Sequence, residues 1–468
     1  MANLPPRLQQ LILEFSAAIG AAPTAESFIV LVLGWILCHG RRTLSGVIRA
    51  VGPQASKSHD AYQNFFSKSK WSMDPLWKMR FLLLLKVLVG ERDECGSPIL
   101  YLAGDDTLSK HFGRKIWGAG LYRDAVRSSK KHTAYAWGLN WVVLTMIAKI
   151  PLLGDHFIAW PICARVNPKR ETEAAGAGQK KGRRRKGTKK AKGQAAQLKK
   201  TTGSIMEEMV LTVSGWLPEA RLVWCGDGAY AGMAGRRPNN VEVVSRIRRD
   251  AAVFAEAPRP THKPGRPAQK GRRRPCPKDL ANQATTRWVT RKVALYGRVV
   301  KRQLHSFCAL WYEVCPDRPV KVVIVRDPTG KDEDEYLFTT DLDRSAEGIV
   351  LCYTGRWAIE VVFREAKQYL GMGEPQSRKK NAVLRTTPFC LWLLSLIKVW
   401  FVLESRQGHP TLPDNDPWYP HQNTISFQDM LGAIRLHFWH NYIFAGSTPH
   451  DDPRQIQEFI AKSLSQVT

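Results

Sequence analysis

The stretch YTGRWAIEVVFREAK, residues 353–367, decides how the chain is read. At about 100° per helical residue, Tyr353, Arg356, Glu360 and Lys367 fall within about 60° of one face over roughly 21 Å, with Arg364 beside them. The opposite arc carries Ile359, Val362, Phe363, Ala366 and Leu370, which suits packing on a sheet. The spacing therefore predicts one continuous helix. A single carboxylate among cations fits a metal-binding acid flanked by phosphate-binding groups; a solvated, salt-bridging helix face fits the same geometry.

Outward from this helix, other acids stand at the ends of apolar runs. Asp105 and Asp106 close ILYLAG and precede Thr107, and Asp227 closes RLVWCG and precedes Gly228. Carboxylates at strand ends sit where an open α/β sheet places its ligands, although an Asp before Gly also serves as a plain turn residue. Asp105 and Asp106 are adjacent, so on a strand their side chains point to opposite faces and only one can enter a site.

The texture of the chain divides it into regions. Residues 1–92 carry apolar residues at helical spacing in LQQLILEFSAAIG, FIVLVLGWILCHG and DPLWKMRFLLLLKVL. Basic and aromatic residues between them fit either a helix-turn-helix DNA-binding domain or a plain helical bundle. Residues 93–250 turn to strands in PILYLAGDDT, KIWGAGLYRDAV, AYAWGLNWVVLTMI, HFIAWPICARV, RLVWCGDGAY and VEVVSRI, with a helix from about 195 to 216. Residues 251–344 read as antiparallel β structure, residues 345–380 hold the signature helix, and 381–468 are helical. Strands, a β-rich insertion and flanking helices make an α/β fold with additions at both ends.

Composition supplies a partner. The 468 residues hold 70 Lys plus Arg against 41 Asp plus Glu, a formal net charge of +29, which points to a polyanion. Residues 168–200 contribute +11 and residues 258–278 contribute +8 of this excess. Both read as flexible basic loops, either solvated tethers or clamps on phosphate backbone. A membrane is disfavoured: the apolar run at 28–38 is too short to span a bilayer, and 389–403 is interrupted by Lys398 and reads as a buried helix. Nine Cys without a CxxC pair argue against a disulfide framework or a structural zinc site. The expectation is a reducing, intracellular protein.

The spacing Tyr353-x2-Arg356-x3-Glu360-x6-Lys367 resembles the Tyr-Arg-Glu-Lys signature of bacterial insertion-sequence transposases, DD(E) enzymes with a ribonuclease-H-like core. Trp357 and Ile359 within the signature, Asp105-Asp106-Thr107, GDGAY around Asp227 and LFTTDL before the helix are similar to that family as well. The resemblance covers residues 98–370. It implies a ribonuclease-H-like mixed sheet flanked by helices, with a β-rich insertion domain at 251–344 between the second acid and the third. It also implies a catalytic, metal-binding triad of Asp105, Asp227 and Glu360, the Asp-x-Thr pattern favouring Asp105 over Asp106. Two Mg²⁺ ions, for which Mn²⁺ would substitute, would serve an in-line phosphoryl transfer. Tyr353, Arg356, Arg364 and Lys367 would bind DNA, with Trp288 and Trp311 as candidates to stack on a flipped base. The function implied is binding of terminal inverted repeats and cut-and-paste strand cleavage and transfer on double-stranded DNA, by a homodimer in a bacterial cytoplasm, associated with the nucleoid. The alternatives are a nuclease or resolvase of the same fold without strand transfer, and a non-enzymatic DNA-binding protein.

Overall fold

The computed structural model describes residues 3–88, 96–129, 131–169, 201–258, 268–295, 297–408, 410–413 and 424–444. Nearly all of the first basic stretch, part of the second and the last 24 residues lie outside them.

The core is the expected ribonuclease-H-like mixed sheet. Strands β1 (Ile99–Lys110), β3 (Tyr135–Ile150) and β4 (Gly154–Asn167) form an antiparallel meander, and the short β2 (Gly120–Arg123) shares the outer edge of β3 with β4. Helix α6 (Thr202–Trp216) then crosses to β5 (Arg221–Gly226), which runs parallel to β1, and β6 (Val241–Arg246) runs parallel to β5. Buried apolar runs such as Trp141 to Leu144 in β3 mark strands covered on both faces. The register extends further. Strands β7 (Val289–Leu295), β8 (Arg298–Ala309), β9 (Val320–Arg326) and β10 (Glu335–Thr339) continue the same sheet through antiparallel pairing of β10 with β6, giving ten strands. Of KIWGAGLYRDAV only four residues form a strand, and β1 runs on through both acids to Lys110 instead of ending at them.

The described part of the second basic stretch is anchored. Phe254 bridges Arg273 and Leu310, Lys270 lies 4.2 Å from the Phe254 ring centroid, and Pro277–Asn282 form the short helix α7.

Helices cover the sheet. Five N-terminal helices, α1 (Pro6–Ser16), α2 (Ala22–Leu37), α3 (Leu44–Val51), α4 (His59–Ser67) and α5 (Met73–Leu88), share one core with the long helix α10 (Lys380–Ser405). Thr43 and Ser58 cap α3 and α4 by accepting from backbone N–H groups three residues on. Fully buried Arg80 ties α5 to α10 by donating to Ser395 Oγ at 2.9 Å and Trp392 O at 2.8 Å. Helix α10 is long and apolar enough to cross a membrane, yet 94% of its most apolar stretch is buried inside the protein. It is a core helix, and its Lys398 reaches Glu365 at 2.7 Å.

The signature segment is not one helix. Helix α8 (Ala346–Gly355) and helix α9 (Ala358–Tyr369) meet at Arg356 and Trp357, where Arg356, Trp357 and Glu360 donate to carbonyls three residues back. The tight joint has a packing reason. Helix α8 buries Ile349, Val350, Cys352 and Tyr353 against the β5–β6–β9 face, whereas α9 buries Ala358, Ile359, Val362 and Ala366 in the main core. Phe157 of β4 lies on Gly355, where a Cβ would come within 2.8 Å of the ring. A straight helix would serve only one of these surfaces.

Candidate active site

The site forms where the parallel pairing of β1 with β5 ends, beside the α8–α9 joint. Gly104 of β1 pairs with Gly226 of β5, so Asp105 and Asp227 follow side by side on neighbouring strands. The glycines are needed because the other face is full: a Cβ on Gly104 would lie 2.5 Å from Met206, and one on Gly226 would enter the Trp224 ring.

The joint aims Arg356 at this pair. Its Nη1 donates to Asp105 Oδ2 at 2.7 Å, with the two side chains 13% and 16% exposed. Its Cζ lies 5.6 Å from the ring centroid of buried Tyr353. Burial opposes the charge on Arg356, but Asp105, Tyr353, Asp227 and Glu360 outweigh it and raise its pKa. Of the three acids, Asp105 is the one the guanidinium contacts directly. On the same strand face as Asp105, Thr107 accepts from Lys367 Nζ at 2.8 Å. Of the sequence-predicted residues, Arg356 contacts both Asp105 and Tyr353, Asp227 follows beside Asp105 on the neighbouring strand, Lys367 reaches Thr107, and Glu360 stands four residues beyond Arg356 on α9; Arg364 lies exposed on α9.

Asp106 points the other way. Its Oδ1 accepts from Tyr230 Oη at 2.8 Å and its Oδ2 from Asn140 Nδ2 at 2.9 Å. Sequence reasoning missed both partners; Tyr230 was visible in GDGAY, but nothing in the sequence links Asn140 to Asp106. Asp227 caps the turn after β5, its Oδ1 accepting from Ala229 N at 3.1 Å and its carbonyl from Ser245 Oγ at 2.9 Å. Trp311 is core, edge-on to Phe338 with ring centroids 5.2 Å apart. Trp288 is only part-buried, with the Arg326 guanidinium 4.2 Å from its ring centroid.

Burial pushes the Asp105 carboxyl up to about 7; Arg356 draws it down, and Glu360 and Asp106 push it up again. Acids crowded in this way favour a cation among them. Three carboxylates supply hard oxygen ligands that suit Mg²⁺ or Mn²⁺. In this conformation, though, no three His, Cys, Asp or Glu side chains among the described residues are grouped closely enough to hold an ion, and Arg356 supplies the positive charge.

Comparison with known proteins adds two matches. Residues 14–307 match the family model "DDE superfamily endonuclease", and residues 307–401 match the model "Archaeal putative transposase ISC1217". No curated protein matches the chain.

Proposed function

The chain belongs to the DDE superfamily endonuclease family, and on that footing we propose that it is a DNA transposase acting through Asp105, Asp227 and Glu360. The family carries nuclease or transposase activity, and the second match favours transposition. One geometric relationship supports the residue assignment: Arg356, four residues before Glu360, donates to Asp105, which the β1–β5 register sets beside Asp227.

In this reading Asp105, Asp227 and Glu360 are the oxygen donors for divalent metal. Such ions, when bound, supply the charge that activates a water or a DNA 3′-hydroxyl and stabilises the leaving oxygen. The remaining work falls to side chains. Arg356 holds the acids together before substrate arrives, then turns its donors to a backbone phosphate. Lys367 orients a second phosphate from the Thr107 side. Tyr353, expected from the sequence to bind DNA, is buried in the core, and in this reading its ring orients Arg356 instead. Asp106, bound by Tyr230 and Asn140, braces the turn after β5 and takes no part in the chemistry.

The substrate is double-stranded DNA bearing the terminal inverted repeats of the element, cut and joined in a cut-and-paste reaction. Pairing two ends with one active site each requires at least two protomers, hence a homodimer on DNA. The N-terminal helices and the basic stretches would grip the flanking duplex. A plasmid carrying the DNA that borders the gene, incubated with the protein and Mg²⁺ or Mn²⁺, tests this. Joined products from wild type and none from Glu360→Gln are expected. Cleavage without joining would make the protein a nuclease of the same fold, and equal cleavage by Glu360→Gln would overturn the triad.

A further inference from the structure

We propose that Arg246 is a phosphate-binding residue of this site, holding the backbone phosphate next to the one under attack; the inference rests on the nuclease or transposase reading above. The three parallel strands carry it. Gly104 pairs with Gly226, and Cys225 pairs with Val244. Carried forward in register, Asp105, Asp227 and Arg246 form one row where β5 and β6 end and β1 leaves its parallel pairing with β5, the side on which open α/β sheets take ligands. At about 4.8 Å between strands, Arg246 stands one strand from Asp227 and two from Asp105.

Its face is settled by its neighbours. Cys225 and Val244 share a buried cluster with Tyr353, so Asp227 and Arg246, each two residues further on, point to the α8 side. The Arg246 Cζ lies 5.3 Å from the Tyr353 ring centroid and the Arg356 Cζ lies 5.6 Å from it, so one phenol ring orients two guanidiniums. Arg246 also borders the Asp227 turn: a Cβ on Gly228 would touch the Arg246 Cβ at 3.4 Å.

Arg246 Nη2 pairs with Glu335 at 2.7 Å, the two side chains being 48% and 32% exposed. An ion pair this exposed is weak and is readily exchanged, whereas a phosphate offers a guanidinium two charged acceptors at once. Glu335 is thus a placeholder on an arginine that the row aims beside the scissile position.

The test measures binding of a restriction fragment bearing the DNA that borders the gene, with Ca²⁺ replacing Mg²⁺ to prevent cleavage, across a salt series. Arg246→Gln should weaken binding about tenfold and reduce the slope of log affinity against log salt by about one, the loss of a single phosphate contact. Arg246→Lys should keep the slope, and Glu335→Gln should keep it and tighten binding. A wild-type slope in Arg246→Gln overturns the inference. So does a Glu335→Gln variant that loses as much affinity as Arg246→Gln, because the pair would then be structural. If wild type neither binds this fragment nor nicks it when Mg²⁺ is restored, the underlying reading fails and the inference falls with it; if wild type does both, only the inference is at stake.

Discussion

Arg356 and Asp105, 251 residues apart, are joined at 2.7 Å between Nη1 and Oδ2, and both side chains are mostly buried. Losing one partner leaves the other without its counter-charge in a sheltered place. Arg356→Gln should therefore destabilise the metal-free protein by roughly 1–3 kcal/mol. Adding Asp105→Asn should recover part of that loss, giving a coupling of about 1 kcal/mol or more in urea unfolding. Additive losses would show that the pair contributes nothing.

The two adjacent aspartates make a sharper contrast. Asp105 faces Arg356, whereas Asp106 is engaged by Tyr230 and Asn140. Asp105→Asn, Asp227→Asn and Glu360→Gln should each lower metal-dependent plasmid nicking by at least about 100-fold, or about 2.7 kcal/mol of barrier. Asp106→Asn should stay within about tenfold of wild type while lowering the unfolding midpoint, since it weakens two hydrogen bonds. The reverse ranking would exchange the roles of the two acids.

These residues also show what was legible beforehand. Tyr353, Arg356, Glu360 and Lys367 were visible because their spacing and chemistry are local properties, and Asp227 because a strand ended in front of it. The break at Arg356 was not, since it answers to two packing partners, Phe157 on β4 and the β5–β6–β9 face, that no helical wheel contains. The union of β7–β10 with the core sheet was hidden for the same reason. Its strand link among the described residues, β10 on β6, pairs Leu337 with Arg246 across 91 residues. That Asp106 is spoken for depended on Asn140, placed next to it only by the β1–β3 register.

A buried ion pair holds α9 against α10. Glu365 and Lys398 meet at 2.7 Å with 8% and 3% of each residue exposed. Lys398→Met strands the carboxylate and should cost roughly 3–5 kcal/mol in stability, whereas Lys398→Met with Glu365→Leu should restore most of it. Because Glu360 rides on α9, the single variant should also lose nicking activity and the double variant regain it. A stable but inactive double variant would show that the charge itself matters to the site.

Acid should weaken the packing of α2 against the last described helix, α11 (Phe427–Phe444). Partial burial, with Arg435 and Arg42 nearby, holds His39 down to about 4, and Arg435 Nη1 lies 3.4 Å from its Nδ1. The folded value is below the ordinary 6.5, so the folded protein resists protonation while the unfolded chain accepts it. The stabilisation is fully present above about pH 6.5 and is lost as the pH falls toward 4. Urea midpoints of His39→Gln should therefore fall less than those of wild type between pH 6.5 and 4.5. Parallel curves would remove His39 from the acid response.

The basic stretch at 168–200 carries +11 of the formal +29 and lies almost wholly outside the described residues, so its role has to be tested through DNA. If its lysines and arginines contact phosphates, each contact releases counterions and adds about 0.9 to the salt slope of binding. Removing residues 180–192, which hold nine Lys and Arg, should then lower that slope by several units and weaken non-specific binding most. Nicking at saturating DNA should be unchanged, because Asp105, Asp227 and Glu360 stay in place. A slope equal to wild type would make the stretch a tether, and the grip on DNA would then rest with the folded surface, Arg246 and Lys367 included.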